Sequence, residues 1–134
     1  MLTMNNTPRS SGILWITAGA LLLTGALFAA RHTVNIEVDN QGRFGYKDAN
    51  NGDASRTRAK RGDTIRFECK SGACTADFGN RSPFAGSTVS AARGQGAEAV
   101  VRSDAAPGVY KYTVTVRNPG QADKVHDPEV EIEQ

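Results

Sequence analysis

The chain has 134 residues, room for one domain, with 39% hydrophobic and 22% charged residues and a formal net charge of +2. So balanced a charge gives no bulk electrostatic case for nucleic-acid binding. Its two cysteines fit an oxidising compartment, where a pair tends to become a disulfide.

The N-terminal residues differ from the rest. Residues 1–11 are polar with one charged side chain, Arg9, and residues 13–30 carry none. A helix of that length rises about 27 Å, close to the thickness of a bilayer's hydrocarbon core. The stretch is either a cleaved signal peptide or an uncleaved signal anchor. A cut after Ala30 or Ala29 would place Phe28 or Leu27 where a signal peptidase wants a small residue, which favours the anchor. The expected organisation is a cytoplasmic segment at 1–11, a single inner-membrane transmembrane helix at 12–31 and a periplasmic domain at 32–134. Arg9 and the amino terminus set this orientation, opposed by Arg31 and His32.

Residues 33–39 alternate, with Val34, Ile36 and Val38 on one face, and predict a half-buried strand. Turn residues at 39–42 predict a hairpin returning through 43–46. Residues 47–55 read as loop. Arg56–Lys60 reads as a short edge strand guarded by Arg56, Arg58 and Lys60. A Gly62-Asp63 turn feeds a core strand, Thr64–Cys69, and a short glycine loop then delivers Cys74. Weaker strands are expected at 87–92 and 97–102. The strongest is expected at 109–117, unbroken, with Tyr110, Tyr112, Val114 and Val116 on one face. Residues 118–123 read as loop, His126 as a loop residue, and Glu129–Glu133 as the last strand. Many short strands with one apolar face each predict an all-β fold, an antiparallel sandwich or barrel.

The Gly62-Asp63 turn before Thr64–Cys69, the loop to Cys74, the run Pro107-Gly108-Val109-Tyr110-Lys111-Tyr112 and the closing Val130 and Ile132 together resemble a cupredoxin. The resemblance implies a Greek-key β-sandwich. It departs from the family at the metal. Cys74 stands where a histidine ligand is expected, and residues 113–126 hold no cysteine or methionine and only His126. Blue copper needs a thiolate and two imidazoles, so the resemblance implies the scaffold without type 1 copper.

Several residues are candidates for chemistry. Cys69 and Cys74 bracket 70–73 and are expected to form a disulfide, with free thiols or a metal or redox pair as alternatives. His126 could join them as a copper-binding set. Arg56, Arg58, Lys60 and Arg61 form a basic patch, read either as a solvated edge or as a surface for an anionic partner or lipid headgroups, with the acidic residues of 123–133 as a third candidate counterpart within the fold. The Arg61-Gly62-Asp63 triplet is explained by a turn. No phosphate-cradling loop, nucleophile elbow or metalloprotease motif is present, so no enzymatic activity is expected. The function expected is a membrane-anchored periplasmic binding or scaffolding module without cofactor. Its partner would be an envelope protein or complex, met through loops 70–84 and 118–127. The alternative is a copper carrier or electron-transfer protein using Cys69, Cys74 and His126.

Overall fold

The computed structural model describes residues 29–134. The predicted cytoplasmic segment and nearly all of the predicted anchor lie outside the described residues, among which no helix is long and apolar enough to cross a membrane. In chain order the strands are β1 (Arg31–Val38), β2 (Phe44–Lys47), β3 (Arg56–Lys60), β4 (Thr64–Cys69), β5 (Ala73–Asp77), β6 (Thr88–Ala91), β7 (Gly96–Val100), β8 (Gly108–Lys111), β9 (Thr113–Arg117), β10 (Lys124–His126) and β11 (Glu129–Glu133).

Alternation places one apolar face of each long strand inward. Val34 and Ile36 of β1, Ile65 and Phe67 of β4, Val114 and Val116 of β9, and Val130 and Ile132 of β11 are all buried. Each such side chain contributes about 2 kcal/mol relative to an exposed one. The strands form three sheets, β2-β1-β4-β7, β10-β9-β5-β6 and β3-β11-β8; the last two run on into each other through the Tyr112 N–H bond to Pro128 O and together make the second layer. Phe67 reaches across the sandwich to Tyr112, Phe78 and Phe84, with ring centroids at 5.6, 6.4 and 6.3 Å, all edge-on. Edge-to-face packing suits the ring quadrupoles and fills the centre without a tryptophan.

Three expectations need correction. The sheets are not purely antiparallel: β1 runs parallel to β4, and β3 parallel to β11. Local alternation says which face is apolar, not which neighbour a strand takes. The predicted single strand 109–117 divides at Tyr112 into β8 and β9, which belong to different sheets. The cause lies opposite. Lys111 faces Glu129 and Val114 faces His126 in one continuous register, so Tyr112 faces Pro128, which has no N–H for the ladder. His126 is not in a loop but ends β10, paired to β9. The strands expected at 87–92 and 97–102 form as β6 and β7, β6 bonded to β5 and β7 to β4.

Candidate functional site: the two ends of the sandwich

At one end, which we call the loop end, the turns 39–42, 70–72 and 118–123 meet. Cys69 and Cys74 are joined there by a disulfide, with Cα atoms 5.5 Å apart. That spacing lies within the ordinary range for a disulfide. Ser71 fixes the loop to β1: its Oγ accepts from Val38 N–H at 2.8 Å and donates to Val38 O at 3.3 Å. Asn118 fixes it to β9, donating from Nδ2 to Ser71 O at 3.0 Å. Gly72 passes so close that a Cβ would meet Arg117 O and the Asn118 amide at 2.8 Å. Loop 70–72 is therefore held from two strands and across the disulfide.

The groove beside it is polar, lined by Asp39, Lys70, Ser71, Arg93, Asn118 and Lys124 among others. Asp39 is turned inward on its own hairpin. It accepts from the N–H groups of Gln41 and Arg43 and from Arg43 Nε, and those bonds, Arg43's backbone first, hold its carboxyl below the usual value. Lys70 and Arg93 are exposed, so the groove presents cations beside amide and hydroxyl groups.

His126 belongs to a different place. Its ring stacks on Phe44 and Tyr46 at 5.2 and 5.6 Å, and Nδ1 lies 2.9 Å from Tyr46 Oη. These rings close the seam between the edge strands β2 and β10. Burial, then the Asp127 carboxylate, push the Tyr46 phenol well above its ordinary value. The structure does not bring His126 to the cysteines. On β9, His126 faces Val114 from one side and Cys74 faces Val116 from the other. Two strand spacings, roughly 10 Å, separate their backbones. Type 1 copper needs a thiolate, both sulfurs are bonded to each other, and the imidazole is held by a phenol. This donor set does not fit type 1 copper.

The basic patch divides in two. Arg56 binds Glu129 Oε1 through Nε at 2.7 Å and Nη2 at 2.6 Å, and Arg58 Nε lies 3.5 Å from Glu131. The parallel β3–β11 pairing sets these charges side by side. Lys60 and Arg61 continue beyond them into the turn at the opposite end of the sandwich, which we call the clamp end; there Arg61 Nε donates to Ala105 O at 2.8 Å.

Asp63, at the same turn, was read from sequence only as a turn residue. It is 6% exposed, its carboxylate turned into the fold. Its Oδ1 accepts from Ala30 N–H at 2.9 Å, and Oδ2 takes Lys60 N–H at 2.8 Å and His32 Nε2 at 2.9 Å. Burial pushes this carboxyl up, but the bonds from His32, Lys60 and Ala30 outweigh it, and its pKa is lowered. A partner 31 residues away leaves no local signal; a histidine before one strand and an aspartate before another were the only hints. No protein-family model matches the chain, and no curated protein matches its sequence.

Proposed function

We propose that the chain is a binding or scaffolding module: a cupredoxin-like Greek-key sandwich without type 1 copper, anchored in the inner membrane through residues 12–31 and facing the periplasm. On this reading it meets an envelope protein or complex through the loop end, and it is neither an enzyme nor a nucleic-acid binder. The observation that carries it is the Asn118–Ser71 bond together with the Cys69–Cys74 disulfide. They preorganise polar loops at one end of a rigid sandwich, and loops so placed commonly carry recognition. The cupredoxin part is supported by the sequence resemblance and by a two-layer strand order compatible with a Greek key. The disulfide at a membrane-proximal domain supports an oxidising compartment.

The test is a photocrosslinker at Gln121 in the intact membrane-bound chain. A reproducible adduct lost in Lys70→Glu with Arg93→Glu supports the reading. An adduct indifferent to that change, or none at all, overturns it. The copper reading has its own test: stoichiometric tight copper binding abolished by Cys74→Ser and by His126→Ala would replace the binding-module reading.

A further inference from the structure

We propose that the clamp end, formed by the 60–63 turn and the 102–107 loop, rests on an anionic lipid surface, with Lys60 and Arg61 at the headgroup phosphates and the strands standing up from the membrane. This rests on the reading of residues 12–31 as an anchor and adds the orientation of the domain and the ligand of its near face.

The first support is the absence of slack. The apolar run ends at Ala30, whose N–H is already bonded to Asp63, and β1 starts at the next residue. Asp63 simultaneously holds Lys60 N–H and the His32 ring. One buried carboxylate thus ties the emerging chain to the 60–63 turn. Since an extended residue spans at most about 3.6 Å, that turn stands within roughly 10 Å of where the apolar run stops.

The second support is which charges are available there. Arg56 and Arg58 are engaged by Glu129 and Glu131, but Lys60 is exposed and Arg61 uses only Nε, on a carbonyl. Nearby carboxylates are largely engaged: Asp63 in the clamp, Asp104 by Arg102 at 3.0 Å, and Glu98 by Arg31. Glu133, the register neighbour of Lys60, offsets one charge. The turn and its surroundings therefore offer cationic groups to phosphates. Cations also occur at the loop end, but an eight-residue strand separates the ends by about 26 Å. At physiological salt the surface potential decays within about 8 Å. Only the clamp end feels it.

The full chain, reconstituted in nanodiscs and labelled at Ser103→Cys or Gln121→Cys, tests this with a headgroup-level nitroxide quencher; the native cysteines are bonded and take no label. The expected result is several-fold stronger quenching at position 103 than at 121 in discs containing phosphatidylglycerol. That quenching falls in phosphatidylcholine discs and in Lys60→Glu, whose changed side chain makes no bond in the fold. Lys60→Glu with Arg61→Glu lowers it further. Equal quenching at the two positions overturns the orientation. Strong quenching at 103 that ignores lipid charge and Lys60→Glu overturns the headgroup contact while leaving the anchor. Mass spectrometry of chain recovered from cell membranes reads the anchor separately: a mature chain that has lost the apolar run, as by a cut after Ala29 or Ala30, overturns the anchor and the proposal with it.

Discussion

Tyr112 N–H donates to Pro128 O at 3.1 Å, and the proline has no N–H to return. That single missing donor divides what is otherwise one long antiparallel pairing of residues 108–116 with 124–132. Replacing Pro128 by alanine restores a donor facing Tyr112 O. The amide at position 128 is expected to exchange slowly, like an interior ladder amide, in hydrogen-exchange NMR. Fast exchange there would mean that the break has another cause.

Asp63→Ala removes one acceptor from each of three donors, two of them backbone N–H groups. Leaving them unpaired is expected to cost about 3 kcal/mol, read as a lowered urea midpoint. Because the folded-state pKa of Asp63 is depressed, its contribution is complete above the ordinary value of 3.8 and is lost as pH falls through the lower folded value. Asp63→Asn should therefore show a smaller loss of stability than wild type on acidification in that window. Parallel pH profiles for the two proteins would contradict this linkage.

The disulfide closes a ring with a sequence separation of 5. On the chain-entropy model, its reduction is expected to destabilise the domain by about 2 kcal/mol. Urea melts with and without reductant measure the difference, and the Cys69→Ala, Cys74→Ala double variant should be insensitive to reductant.

Two tyrosines near one another should respond oppositely to loss of the hydroxyl. Tyr46 Oη bonds His126, so Tyr46→Phe is expected to cost about 1 kcal/mol. Tyr112 Oη is buried with no hydrogen-bond partner, while its ring stacks on Phe78 at 4.6 Å. Tyr112→Phe keeps the stack and is expected to leave stability unchanged or raised. Thermal melts of the two variants decide the matter.

Gly72→Ala would press a methyl group against Arg117 O, a backbone atom with little room to yield. The expected cost is about 2 kcal/mol. An unchanged melting temperature would show that loop 70–72 is looser than its hydrogen bonds suggest.

The sequence made the strands legible wherever one face is apolar and the other polar. β3, β4 and β11 carry the predicted bounds, and β1, β2, β6 and β7 differ by a residue or two at their ends. β10 was hidden because its only aliphatic residue, Val125, is 59% exposed, so its pattern offers no buried face to detect. It forms because register continues past Pro128. Parallel partners were also illegible, since alternation in Val34 and Ile36 is the same beside β4 as beside any other strand. Within the candidate sites, the cysteine pair was visible from spacing and the opposed charges of β3 and β11 from their composition. The Tyr46–His126 bond spans 80 positions and exists only through the meeting of two sheet edges.

The parallel β1–β4 pairing begins at Arg31 itself and continues through six successive residue pairs to Cys69. Tension applied along β1 at its N-terminal end would load those rungs side by side, as in a lap joint, instead of peeling them one after another. A pull on the chain at Arg31 therefore meets the β1–β4 ladder in the geometry in which it best resists mechanical load.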